Sequence, residues 1–210
     1  MSWHEAVLNI RQRNVLRRLG PVMTTASFYL AGGTALALQL GHRHSVDLDW
    51  FTDRVIPDGM ALAHELRTAG VPLTVRRTDR GTLHAVASQV RCSFLEFRYP
   101  LLQPLVECER YGCLVASLDD LACMKLSAIA QRGSKKDFVD LYALVSRHRP
   151  LSQLLEGYQR KFAVRDIMHV VLGLCYFGDA GKERMPRMRW KVDWKTIRRA
   201  VQQWSRELAG

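Results

Sequence analysis

The chain has 210 residues, 48% hydrophobic and 24% charged, which suffices for one sizeable core or for a core with a helical appendage. Lysine and arginine number 31 against 20 acidic residues, a formal net charge of +11 that favours anionic partners, nucleic acid foremost and an acidic protein surface as the other option. No run of about 18 apolar residues occurs, Met1 to Ile10 lack the pattern of a secretion signal, and five cysteines without a Cys-x-x-Cys pair argue against a disulfide framework and a structural zinc site, so a cytoplasmic protein with reduced thiols and no membrane segment is expected.

Ser2-Trp3-His4-Glu5 has the spacing of a capping box and predicts a helix running to Leu19 and stopping at Gly20-Pro21. Phe28–Ala31 is a short apolar run that reads as a strand ended by Gly32-Gly33. Thr34–Leu40 reads as a short helix, and the alternating Val46–Phe51 as a second strand. Asp58 is placed to cap a helix over Met60–Ala69. Val71–Arg77, Leu83–Val86 and Val90–Phe97 read as strands, with Gly81 as a turn residue between the first two. Residues 28–116 thus form an α+β pattern, a small mixed sheet flanked by helices.

From Ser117 the composition shifts. Helices are predicted from Ser117 to Gln131, from Lys135 to Arg147 after a break at Gly133-Ser134, beyond Pro150, and over Asp166–Leu174. Residues 179–191, charged and interrupted by Pro186, read as a loop. Asp193 then caps a segment in which Ile197, Val201, Trp204 and Leu208 share one helix face. The chain therefore divides into a core over residues 1–116 and a helical region over residues 117–210, with a cleft between them.

The chemistry concentrates at Asp47-Leu48-Asp49. Residues two apart on a strand face the same way, so two carboxylates point at one spot. Alone they repel, and a divalent cation relieves the repulsion; magnesium prefers carboxylate oxygens together with substrate phosphates. A bare Asp-x-Asp pair is common, but this one follows a strand–Gly32-Gly33-Thr34–helix segment. A glycine turn lets backbone N–H groups approach a phosphate, the helix N-terminus favours an anion, and Thr34 adds a hydroxyl.

The run Tyr29-Leu30-Ala31-Gly32-Gly33-Thr34-Ala35-Leu36-Ala37-Leu38, followed by His42-Arg43-His44-Ser45-Val46-Asp47-Leu48-Asp49-Trp50-Phe51, resembles the AbiEii/AbiGii toxin family, within the nucleotidyltransferase superfamily that includes DNA polymerase β. Lys125, Arg132, Lys136-Asp137 and Asp140 match the family's Lys…Arg…Lys-Asp-x-x-Asp-Leu-Tyr helix signature, and Tyr176-Phe177-Gly178-Asp179-Ala180 is similar to a further stretch of it. The resemblance implies a polymerase β-like core and transfer of a nucleoside monophosphate from an NTP to an acceptor, RNA or tRNA given the basic balance. It also implies a toxin of a toxin–antitoxin or phage-defence pair, with a cognate antitoxin as partner. In that reading Asp47 and Asp49 hold magnesium; Gly32, Gly33 and Thr34 contact the phosphates; Lys125, Arg132 and Lys136 neutralise the leaving pyrophosphate; and Asp137 orients one of these bases or activates the acceptor hydroxyl. Transfer to a protein or small molecule, and a degenerate non-catalytic binding module, are the alternatives.

One departure from the superfamily pattern is visible. A third carboxylate belongs on a later strand, yet Ser93 stands near its place, and Glu96 is the only acid on Val90–Phe97 and so the candidate third ligand. His42 and His44 read as exposed loop histidines, with contact to substrate or metal as the sharper option. Asp140 is spaced to pair with Lys136 at i,i+4. Trp190, Trp194 and Trp204 read as packing residues, and Arg184, Arg187, Arg189 and Lys191 as a solvated loop or a grip on RNA phosphates.

Overall fold

A computed structural model describes residues 3–208. The expected capping box begins at Ser2, outside the described residues; its Glu5 lies in a 3-10 turn over Glu5–Val7. The first helix, α1 (Ile10–Thr25), starts instead at Asn9, whose side chain accepts from the Gln12 N–H while the Gln12 side chain accepts from the Asn9 N–H. Gly20-Pro21 does not stop α1. Gly20 lets the helix press on the Tyr111 carbonyl, which a Cβ would meet at 1.9 Å, and this packing carries the helix through Pro21 to Thr25.

Strand β1 (Tyr29–Ala31) leads into α2 (Gly32–Leu40), then β2 (Leu48–Thr52), α3 (Gly59–Thr68), β3 (Thr74–Asp79), β4 (Thr82–Ala87), β5 (Val90–Glu96), β6 (Val106–Cys108) and β7 (Cys113–Val115). They build one mixed sheet in the order β3-β4-β5-β2-β1-β7-β6. β2 pairs antiparallel with β1 and parallel with β5, and β1 pairs parallel with β7. The strand expected over Val71–Arg77 begins only at Thr74, because Val71 closes the end of α3 by donating to the Leu66 carbonyl. The β6–β7 hairpin was not foreseen; three residues are too few for alternation to be read.

The helical half comprises α4 (Leu118–Gln131), α5 (Lys135–Arg147), α6 (Leu151–Phe162), α7 (Met168–Cys175), α8 (Gly178–Lys182) and α9 (Trp194–Glu207). Part of the expected loop at residues 179–191 is therefore the short helix α8. Asp58, Ser117 and Asp193 cap α3, α4 and α9 with their side chains. The three tryptophans pack as expected: Trp194 edges onto Phe138 and Phe177, Trp204 stacks on Tyr142, and Trp190 lies edge-on to His42.

Sheet alternation sorts the site from the core. Leu48, Trp50, Cys92 and Phe94 are fully or almost fully buried on one face, where α1 lies against β2 and β5. Asp49, Phe51, Ser93 and Leu95 alternate with them and face a cleft. α2 is almost wholly buried and touches α4 and α5, so the N-terminus of α2 opens into the same cleft that the helical half borders.

Candidate active site

The cleft has a volume of about 810 Å³. Its floor is the turn from β1 into α2. Ala31 precedes the helix in extended conformation and no side chain caps it, so the first N–H groups of α2 have no capping partner. Gly32 has φ +66°, and a Cβ on it would come within 2.6 Å of the Asp49 Oδ2. Only glycine satisfies both the left-handed backbone and that approach. A Cβ on Gly33 would lie 2.5 Å from the Arg43 Nη2 and 3.3 Å from the Ser45 hydroxyl oxygen. Bare N–H groups, a positive helix end and a guanidinium thus meet at one point beside two carboxylates, a setting suited to phosphate.

Asp47 and Asp49 both line this cleft. Burial raises the Asp49 pKa, and the Asp47 charge raises it further against hydrogen bonding from Ser93 and the pull of Lys125 and Lys136. Asp47 accepts from the Arg91 Nε at 2.6 Å. A half-buried carboxylate with a raised pKa, beside a second carboxylate in the same cleft, fits a divalent cation bound by hard oxygen donors. Among the described residues no third His, Cys, Asp or Glu joins them.

Four sequence expectations are corrected here. Glu96 belongs to the opposite set of β5 residues from Ser93, so it leaves the cleft side; its carboxylate accepts from the Ile56 N–H at 3.1 Å and pairs with Arg98 at 2.6 Å, which lower its pKa. Ser93 is the residue paired with Asp49 across β2 and β5. Thr34 is fully buried, and its hydroxyl donates to the Asp47 carbonyl rather than facing the cleft. It therefore braces the carboxylate strand, and the hydroxyl near the glycines is that of Ser45, two residues before Asp47. The Gln12 side chain holds the Ser45 carbonyl at 2.8 Å.

The third correction concerns the acids of α5. Asp137 is fully buried and does not line the cleft. It accepts from Lys125 at 3.1 Å, from Arg132 at 2.9 and 3.1 Å, and from Ser134 at 2.6 Å. Burial would raise its pKa, but Arg132, Lys125 and Ser134 outweigh burial and lower it. A carboxylate so satisfied orients Lys125 and Arg132, one of the two roles the sequence left open for it. Asp140 does not pair with Lys136 either. It is fully buried and bonds Arg43 at 2.6 and 2.9 Å, the His42 Nε2 at 2.7 Å and Lys125 at 2.7 Å. Burial opposes its charge, yet Lys125 and Arg43 hold it well below the ordinary carboxylate range.

His42 is consequently a core residue, not an exposed one. Burial lowers its pKa more than Asp140 raises it, and Arg43 and Lys125 lower it further. Its Nδ1 is buried without a partner, as befits a bare lone pair on a neutral ring donating from Nε2. The His44 Nδ1 donates to the Val7 carbonyl, 3.1 Å away. Lys125, Arg132 and Lys136 all line the cleft, and Lys136 stands opposite the carboxylates without the constraint that Asp137 places on the other two.

The cleft residues that sequence reasoning missed include Gln12, Ser45 and Arg91. Ser45 carried a signal, the two-residue step to Asp47 and Asp49. Arg187, which the sequence placed on a solvated loop or a grip on RNA phosphates, reaches the cleft because His44 donates to the Arg187 carbonyl while Arg189 and Trp190 donate to the His42 carbonyl.

Comparison with known proteins adds family evidence to this geometry. A family described as the nucleotidyl transferase AbiEii toxin of a type IV toxin–antitoxin system matches residues 14–103 and 90–207. An uncharacterized protein of Aquifex aeolicus (strain VF5) is 38% identical over 179 residues, 84% of this chain and 86% of that protein. The fold is similar to that of the nucleotidyltransferase toxin MenT4 from Mycobacterium tuberculosis H37Rv, with TM-score 0.57 and 17% identity over 92% of this chain and 86% of MenT4. It is also similar to the Megavirus polyadenylate synthase, with TM-score 0.50 and 16% identity over 66% of this chain. The match spans 32% of the viral enzyme, and likeness at these identities is one of fold.

Proposed function

This chain belongs to the AbiEii family of nucleotidyl transferase toxins, and from that premise we propose that it moves a nucleoside monophosphate from an NTP to RNA, tRNA being the first acceptor to test. One observation carries the reading: the uncapped N-terminus of α2 and the Asp47–Asp49 pair open on the same basic cleft. Asp47 and Asp49 would hold magnesium, which would supply Lewis-acid stabilisation of the phosphate charge.

The protein's own groups do the rest. The N–H groups of Gly32 and Gly33 and the Ser45 hydroxyl receive the triphosphate. Lys136 and Arg132 neutralise charge on pyrophosphate as it leaves. Lys125 stands between Asp137 and the cleft and lowers the cost of keeping Asp49 ionised. In this reading residues 1–116 supply the donor cradle and the carboxylates, and residues 117–210 bring the cations that close the cleft.

On the same premise we infer a toxin that acts in the cytoplasm and is countered by a cognate antitoxin. The cysteines of the described residues are all free, and no helix of these residues is long and apolar enough to cross a membrane. Phage defence is the setting in which such a pair would act.

The test is label transfer. The protein is incubated with magnesium, each α-labelled NTP in turn, and total tRNA, with Asp47→Asn and Asp49→Asn variants beside it. Transfer of label to RNA that needs a divalent cation and drops by roughly a hundredfold or more in both variants is expected. A folded protein that binds NTP but labels no RNA would overturn the reading. Ser93 opposite Asp49, where the superfamily carries an acid, favours the second reading in that event: a nucleotide-binding module without turnover.

A further inference from the structure

The Asp47–Asp49 pair opens on two hollows, not one. Adjoining the cleft at the α2 N-terminus, a second hollow of about 710 Å³ extends from the pair over β3, β4 and β5; it shares Asp47, Asp49, His84, Arg91 and Ser93 with the cleft and adds Arg76 and Gln89. Its basic groups are exposed or half-buried, and its only carboxylates are the two shared ones.

Three local irregularities converge there. The β3–β4 register slips between Val75 and Arg77, which leaves Arg76 as the unpaired residue of a bulge and re-aims its side chain. The β4–β5 turn is made by Ser88 and Gln89 at φ +47° and +66°, left-handed positions without a glycine, and Gln89 sits at the rim of the hollow. His84 lies across from Ser93, with its Nδ1 3.2 Å from the Ser93 hydroxyl, and Ser93 in turn hydrogen-bonds Asp49. The bulge, the turn and this chain of hydrogen bonds contribute nothing to the core, and all three border one space.

We propose that the second hollow is the acceptor subsite: Arg76 and Arg91 hold the phosphates of a nucleic acid on either side of its reacting hydroxyl, and His84 positions that hydroxyl by a hydrogen bond. The proposal rests on the nucleotidyl-transfer reading. With the triphosphate at the α2 N-terminus, pyrophosphate departs on the α2 side, so the nucleophile must arrive in line from the other side of the carboxylate pair. The acceptor oxygen bonds to the α-phosphorus, the bond from that phosphorus to the bridging oxygen breaks, pyrophosphate leaves through the first cleft, and the hydroxyl proton is released to water. Arg91 contacts Asp47 from an exposed position, so turning it toward a phosphate costs little. Two guanidiniums match phosphate bidentately.

The experiment measures steady-state transfer from the active α-labelled NTP to total tRNA for the wild type, Arg76→Glu, Arg76→Ala and, as a charge control on the exposed face of α1, Arg18→Glu. Arg76 is exposed on an edge strand, and a melting curve for each variant verifies folding. The expected result is an increase of about tenfold or more in the KM for tRNA with Arg76→Glu, a smaller increase with Arg76→Ala, a salt slope lower by about one, and an NTP KM that stays within about twofold. His84→Ala is expected to lower kcat with a smaller effect on either KM. A tRNA KM and salt slope for Arg76→Glu equal to those of Arg18→Glu would overturn the subsite alone. A wild type that labels no tRNA with any NTP would overturn the transfer reading and the subsite together.

Discussion

Asp140→Asn is the sharpest probe of how the two halves are joined. The substitution keeps volume and removes the charge that faces Arg43, Lys125 and His42. Lys125 retains Asp137 at 3.1 Å, but Arg43 has no other carboxylate partner among the described residues and its side chain is only 6% exposed. Breaking a buried pair by removing one partner costs about 3–5 kcal/mol, because the remaining charge is left in a poorly solvated place. For a chain of this length that corresponds to a fall in Tm of roughly 6–20 °C. Urea denaturation followed by circular dichroism gives the number directly. A double-mutant cycle with Arg43→Met should return a coupling of about 2 kcal/mol or more, since losing the guanidinium removes the reason for the penalty. An Asp140→Asn protein within about 1 kcal/mol of wild type would refute the argument and mean that water reaches this junction.

Other expectations follow from the same geometry. His42 has a folded pKa below its ordinary 6.5, so the unfolded chain binds its proton first: the full stability is present above 6.5 and is lost as pH falls from there toward the folded value, with a slope of at most about 1.4 kcal/mol per pH unit. Urea midpoints between pH 5 and 8 should show this slope in wild type and a shallower one in His42→Gln; equal slopes would exclude it. Gly32→Ala should cost about 1–2 kcal/mol from its left-handed backbone and should abolish NTP binding by pushing a methyl group at Asp49, read by calorimetric titration with NTP and magnesium. Unaltered NTP affinity would remove Gly32 from the cradle. Glu96→Gln should leave label transfer within about twofold of wild type while loosening the Ile56 loop, and a loss on the scale of Asp49→Asn would restore Glu96 to the site.

Much of the site was legible because its parts are close in sequence. Gly32, Gly33, Asp47 and Asp49 lie within eighteen positions of one another on a strand–turn–helix–strand segment, where period-two alternation and glycine chemistry speak directly. The helix signature around Lys125, Arg132 and Asp137 was legible as residues, but the bonding partners of Asp137 and Asp140 were not. Which basic group faces the cleft and which acid serves as its counter-ion depends on the rotation of α4 and α5 against α2, a long-range packing outcome. Thr34 shows the limit well. Its place in the motif suggested a phosphate donor, whereas its burial turned the hydroxyl onto the Asp47 carbonyl.

The sequence by itself determined the α+β pattern, the carboxylate pair and the glycine turn, since these rest on local backbone geometry and on side chains one turn or one strand pleat apart. Tertiary structure alone decided that Ser93, which the sequence placed near the missing acid, lies directly across from Asp49, because a parallel register between β2 and β5, forty-four positions apart in sequence, chooses its partner. It alone decided too that His42, Arg43, Lys125 and Asp140 form one buried knot. Charges drawn from distant segments settle into the interior only together, since each would be too costly to bury without the others.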